Sequence, residues 1–105
     1  MKALRYHGPN QLRYEDVPDT EPRAGEVKIR VRAVGVCGSD VHGYLGITGR
    51  RIPPMTMGHE FSGEVAAVGP GVTNVKPGDR VACFPFGFDG TCDTCRSGNF
   101  TMCEN

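Results

Sequence analysis

The sequence has no tryptophan and no excess of either charge: twelve lysines and arginines offset twelve aspartates and glutamates. Its basic residues alternate with apolar ones and nowhere gather into a patch. That argues against nucleic acid or an anionic membrane surface as the main partner. No apolar run approaches the ~20 residues needed to cross a bilayer. The opening Met1-Lys2-Ala3-Leu4-Arg5-Tyr6 lacks the apolar core of a secretion signal, so a cytoplasmic, reducing location is expected. No segment repeats, and none is of low complexity.

What the chain does have is glycine, at fifteen positions, and five cysteines, at 37, 83, 92, 95 and 103. The cysteine number is odd, and three fall in the last fourteen positions. In a reducing compartment this pattern favours metal over disulfides. With 105 residues there is room for one small domain around one core.

The patterning is that of short strands. Met1 to Tyr6 and Leu12 to Val17 read as two strands joined by Gly8-Pro9-Asn10. Pro18 to Gly25 is a polar connection. Val27, Ile29, Val31 and Ala33 then alternate with Lys28, Arg30 and Arg32, which predicts a strand with one buried and one wet face. Ser39 or Asp40 is a suitable N-cap for a short helical turn from Val41 to Leu45. Gly46 to Pro54 reads as a loop and Phe61 to Val68 as a strand. Lys76-Pro77-Gly78-Asp79 is a tight turn before a strand from Arg80 to Phe84. From Pro85 onward a loop without a core of its own is expected. Many short strands and almost no helix suggest a small barrel or sandwich.

Two stretches carry the chemistry. Cys37-Gly38-Ser39-Asp40-Val41-His42 holds a thiol, a hydroxyl, a carboxylate and an imidazole within six residues. Gly58-His59-Glu60 sets an imidazole beside a carboxylate where a turn enters a strand. A catalytic zinc takes three ligands from Cys, His and Asp/Glu and keeps one position open. Cys37, His59 and a carboxylate would make that set. Asp40 can accept the second ring N–H of a ligating histidine, the support such a ligand needs. Ser39 and His42 can pass protons. Cys37 as a small core residue and His59 as a structural hydrogen-bonder are the plainer alternatives.

The order of Gly35-Val36-Cys37-Gly38-Ser39-Asp40-Val41-His42, Gly58-His59-Glu60-Phe61-Ser62-Gly63-Glu64-Val65, Val68-Gly69-Pro70-Gly71-Val72, Gly78-Asp79-Arg80-Val81 and the terminal cysteines resembles one family. It is similar, over the whole chain, to the N-terminal, chaperonin-10-like (GroES-like) catalytic domain of the zinc-dependent medium-chain alcohol and polyol dehydrogenases. The resemblance implies a partly open β-barrel with short helical turns, filling residues 1–105, and a cysteine-rich zinc lobe at about 85–105. It implies Cys37 and His59 as catalytic zinc ligands and Ser39 as the hydroxyl that takes the alcohol proton. His42 would be the solvent end of that relay, and Asp40 would orient His59. Glu60 ligates zinc in the polyol-type members and sits behind the metal in others.

The second cluster is Asp89-x2-Cys92-x2-Cys95-x7-Cys103. The family's structural lobe uses four cysteines at this spacing, and Asp89 stands where the first is expected. Carboxylate oxygen is an acceptable zinc ligand. Asp89 is thus the candidate fourth ligand with Cys92, Cys95 and Cys103; Cys83, read as core, is the reserve, and a degenerate lobe without metal is the alternative.

These enzymes hold NAD or NADP in a separate dinucleotide-binding domain marked by Gly-x-Gly-x-x-Gly between a strand and a helix. Nothing here matches it; after Gly69-x-Gly71, Asn74 stands where the third glycine belongs. The chain stops at Glu104-Asn105 where the family continues. The resemblance therefore implies a truncated half-enzyme, inactive without its Rossmann domain, from a homodimer or homotetramer that oxidises a secondary alcohol, diol or polyol to a ketone. The Cys-Gly-Ser-Asp and Gly-His-Glu-Phe-Ser-Gly wording is nearer to polyol, vicinal-diol and threonine dehydrogenases than to the primary-alcohol enzymes. A stand-alone zinc-binding module without activity is the alternative. The zinc-free quinone reductase branch of the fold fits poorly, because it has no need of Cys37, His59 and a cysteine lobe together.

Overall fold

A computed structural model describes residues 1–105 and is mostly strand, with a few short helices. The strands form two three-stranded antiparallel sheets, ordered β2-β1-β4 and β3-β5-β6, and no closed barrel. No helix is long and apolar enough to cross a membrane.

The first sheet is built on a hairpin of β1 (Lys2–Gly8) and β2 (Gln11–Asp16). Asn10 adopts a positive φ of 61° at the turn, a conformation asparagine tolerates better than most residues. The register shifts between Tyr6 and Gly8; β1 runs on to Gly8, past the expected end at Tyr6, and β2 lies one residue earlier than the expected Leu12 to Val17. Tyr6, 1% exposed, anchors the small core with Ala3. A two-residue strand, β4 (Met55–Thr56), pairs with Arg5 and Tyr6. It follows directly on the expected Gly46 to Pro54 loop, at a place where no strand is expected.

The second sheet sets out the functional region. β3 (Val27–Gly35) pairs with β5 (Glu60–Val68), and β5 pairs with β6 (Arg80–Ala82). The register places Gly35, the last residue of β3, opposite Glu60, the first of β5. Cys37 leaves one strand where His59 enters the other, which is how residues 22 positions apart meet. Gly63 in the middle of β5 has a packing reason: a Cβ there would drive into the main-chain carbonyl of Arg30. The Gly69-Pro70 turn docks on the segment before β3, with Gly69 N–H on Glu26 O at 2.8 Å and Gly25 N–H on Pro70 O at 2.9 Å. Lys28 ties the same segment down, its Nζ 3.1 Å from both Asp19 Oδ1 and Glu21 Oε1.

The alternation in β3 predicts burial that only its first half shows. Val27 and Ile29 are half-buried, whereas Val31 and Ala33 are exposed, Val31 by 50%. A register shift between Val31 and Ala33 breaks the period of two, and no layer of this chain covers that end. Arg30 and Arg32 do face water, whereas Lys28 is half-buried, and Arg32 reaches Glu64 at 3.6 Å.

α1 (Gly38–Leu45) is capped by Cys37, not by Ser39 or Asp40. Asp40, in the first turn, accepts the Cys37 main-chain N–H on Oδ2 at 3.1 Å. The helix ends at Gly46, whose φ of 76° suits a residue without Cβ. β6 is shorter than the Arg80–Phe84 expectation. Beyond it lie α2 (Asp93–Arg96) and a 3-10 turn (Phe100–Met102), so the terminal loop has some local order.

Candidate active site

Cys37, Asp40 and His59 come together with their ligand atoms all within 4.8 Å of one another. The two ring nitrogens of His59 face different partners. Nδ1 lies 3.4 Å from Asp40 Oδ1. Nε2 lies 3.2 Å from Cys37 Sγ, 3.5 Å from Ser39 Oγ and 4.0 Å from Glu60 Oε1. Ser39 Oγ is also 2.8 Å from Cys37 Sγ. The thiol, the hydroxyl and the second carboxylate thus converge on Nε2, and Asp40 holds the opposite nitrogen.

The donor chemistry fits a zinc ion. Zn–S and Zn–N bonds of about 2.3 and 2.05 Å at a tetrahedral angle separate sulfur and nitrogen by roughly 3.5 Å. The 3.2 Å between Cys37 Sγ and His59 Nε2 is within a few tenths of that. Glu60 is turned to the same nitrogen, with its side chain 47% exposed. Gly35 makes room for it, since a Cβ there would sit 3.3 Å from Glu60 Oε2.

Asp40 is the one charged residue counted among the buried. One oxygen caps α1, and the other is shared between His59 Nδ1 and Arg51 Nη2, the latter at 3.5 Å. Burial of a carboxylate is costly unless it is paired, and here both oxygens are engaged. Sequence reasoning missed Arg51, reading Arg50-Arg51 only as loop. Arg51 crosses α1 at Gly43, where a Cβ would lie 2.6 Å from its Cγ, and its Nε is buried without a partner. A glycine six residues past the capping cysteine and an arginine just before Pro53-Pro54 were the available signals.

A cavity of about 790 Å³ opens beside this cluster. Ser39, His42 and His59 all line it. His42 is exposed, and the cavity also takes Thr48, Arg50 and Thr56, none of which the motifs indicate.

The terminal cluster is compact as well. Asp89, Cys92, Cys95 and Cys103 have ligand atoms within 4.8 Å of one another, and Cys83 is not among them. Cys83 instead donates its main-chain N–H to Phe61 O as β6 ends. Cys92 Sγ and Cys103 Sγ are 3.8 Å apart. Two thiolates on one tetrahedral zinc would be about 3.8 Å apart for bonds of ~2.3 Å. Asp89 Oδ1 accepts the N–H groups of Thr91 (2.8 Å) and Cys92 (3.1 Å), and Oδ2 accepts Asn105 Nδ2 at 2.6 Å. The Thr91 N–H first, then Asn105 and the Cys92 N–H, hold its pKa well below the carboxylate range. The Thr94 hydroxyl, 3.1 Å away, leads the groups that lower the Cys92 thiol to about 6. Cys95, 3% exposed, is pushed up to about 12, chiefly by burial. The two thiols are thus shifted in opposite directions. A metal would favour ionisation of both.

The similarity to known proteins follows the same outline. The family model for the alcohol dehydrogenase GroES-like domain matches residues 23–105. The chain is 45% identical over 97 residues to (R,R)-butanediol dehydrogenase of Bacillus subtilis, covering 81% of this chain and 28% of that protein. It is 42% identical to the sorbitol dehydrogenase of the same organism, covering all of this chain and 31% of the relative. Among solved structures it superposes with a TM-score of 0.83, at 40% identity, on an Escherichia coli alcohol dehydrogenase complexed with NADH; that match covers 98% of this chain and 30% of the other. The chain belongs to the zinc-dependent medium-chain alcohol and polyol dehydrogenases, as their N-terminal GroES-like domain. It spans under a third of the length of these relatives.

Proposed function

We propose that residues 1–105 form the catalytic domain of an NAD(P)-dependent enzyme that oxidises a secondary alcohol, diol or polyol to a ketone. The observation that carries this is the convergence of Cys37 Sγ, Ser39 Oγ and Glu60 Oε1 on His59 Nε2 at the edge of a cavity. Cys37 and His59 would hold zinc, with Glu60 as the third protein ligand. When bound, zinc supplies the positive charge that acidifies a substrate hydroxyl, and a nicotinamide cofactor supplies the hydride acceptor.

The chain's own residues do the rest. Asp40 fixes the His59 ring through Nδ1 and leaves Nε2 free to donate its lone pair. Ser39 Oγ, beside Cys37 and on the cavity wall, accepts the proton that leaves the substrate hydroxyl. Exposed His42 on the same wall carries that proton to water. The cofactor is held outside these residues, by a dinucleotide-binding domain. The test is zinc-dependent reduction of NAD or NADP by the complete enzyme with secondary alcohols, diols and sugar alcohols; turnover that survives removal of zinc would contradict the reading.

The terminal lobe is proposed as a structural zinc site with Asp89 as its oxygen ligand. Metal analysis of a Cys92→Ser, Cys95→Ser double variant should show about one ion fewer per chain. Unchanged metal content would exclude the site.

A further inference from the structure

The cavity beside the candidate centre has a one-sided charge. Its wall carries Ser39, His42, Thr48, Arg50, Thr56 and His59, together with the Asp40-bound Arg51, and no aspartate or glutamate. The chain as a whole is neutral, so the asymmetry is local. The two arginines also differ. Arg51 is committed to Asp40, whereas the Arg50 guanidinium makes no ion pair or hydrogen bond; the residue's one side-chain-linked contact is its main-chain N–H on Thr48 Oγ1 at 3.3 Å.

We propose that this site takes a polyhydroxylated substrate bearing an anionic group, a carboxylate or a phosphate monoester, and that Arg50 holds the anion. The proposal rests on the alcohol-oxidising reading above. The hydroxyls of Ser39, Thr48 and Thr56 and the imidazole of His42 suit a substrate with several hydroxyl groups; a simple aliphatic alcohol has no use for them. A guanidinium offers a planar fork of N–H donors that matches carboxylate and phosphate oxygens two at a time. Glu60 stands at the cavity's edge on His59 and Asp40 is held by Arg51 and His59, and neither pairs with Arg50, so that fork is available to a ligand. The volume of about 790 Å³ lies within the ~300–1,000 Å³ of small-molecule sites and admits a six-carbon chain.

The experiment uses the complete dehydrogenase that contains this chain. It compares kcat/KM for a hexitol, the corresponding hexonate and the hexitol phosphate at low and high ionic strength. One of the two anions should exceed the hexitol by about tenfold or more, mainly through KM, which identifies the anion as carboxylate or phosphate. The preference should shrink as salt rises, because the cavity is open to solvent. Arg50→Met should abolish the preference, and Arg50→Lys should restore part of it. Equal or better use of the hexitol by the wild type would overturn the proposal, as would an Arg50→Met variant whose losses are the same for all three substrates. A rise confined to the KM of NAD or NADP would reassign Arg50 to the cofactor and likewise overturn it. Oxidation of a small diol but of none of the three would defeat the proposal alone. No oxidation of any alcohol by the zinc-loaded enzyme would defeat the dehydrogenase reading with it.

Discussion

Replacing His59 with alanine is expected to strip the metal from the candidate catalytic centre while the two sheets stay folded. The side chain sits at the entry to β5, 33% exposed, and both ring nitrogens face polar groups. Truncation removes the only nitrogen on which Cys37, Ser39 and Glu60 converge. Losing a group that merely supports a ligand weakens metal binding by about 10–100-fold. Losing the ligand itself should exceed that range, whereas Asp40→Asn should fall inside it. Metal content and circular dichroism measured on the same samples separate the outcomes. An unfolded His59→Ala chain whose metal content is unaffected would mean that His59 is a structural core histidine.

The second large effect is on turnover. These 105 residues expressed by themselves and loaded with zinc should not reduce NAD or NADP with any alcohol. Joining them to a nucleotide-binding domain should produce activity. Hydride transfer needs the acceptor held against the reacting carbon, and such positioning is worth roughly 7–11 kcal/mol of barrier. No Gly-x-Gly-x-x-Gly follows a strand in these residues. Reduced cofactor is followed by its absorbance. Zinc-dependent turnover by the isolated chain would refute this division of labour.

Much of this arrangement can be read from the residues because it is written in local patterns. The two strands themselves are marked by alternation and turns; their antiparallel pairing, which brings Cys37 to His59, appears only in the fold. Which nitrogen of His59 faces the thiol could not be read, since it depends on where Asp40 points from a helix that Cys37 caps. The exposure of Val31 and Val34 was equally hidden: period-2 alternation assumes a covering layer and no register shift, and β3 departs from both. Arg51 escaped notice because its role comes from a loop folding back over Gly43, a contact with no sequence period. The choice of Asp89 over Cys83 was open in the sequence. In the fold it turns on distance, because Asp89 lies among the three thiols and Cys83 ends β6.

The most direct test of the catalytic centre is anomalous diffraction at the zinc edge from crystals of the zinc-loaded protein. One peak is expected within bonding distance of Cys37 Sγ and His59 Nε2, ~2.3 and ~2.05 Å respectively, with His59 Nδ1 still on Asp40. Density with no zinc between Cys37 and His59, their thiol and imidazole bonded only to each other and to Ser39, would contradict it.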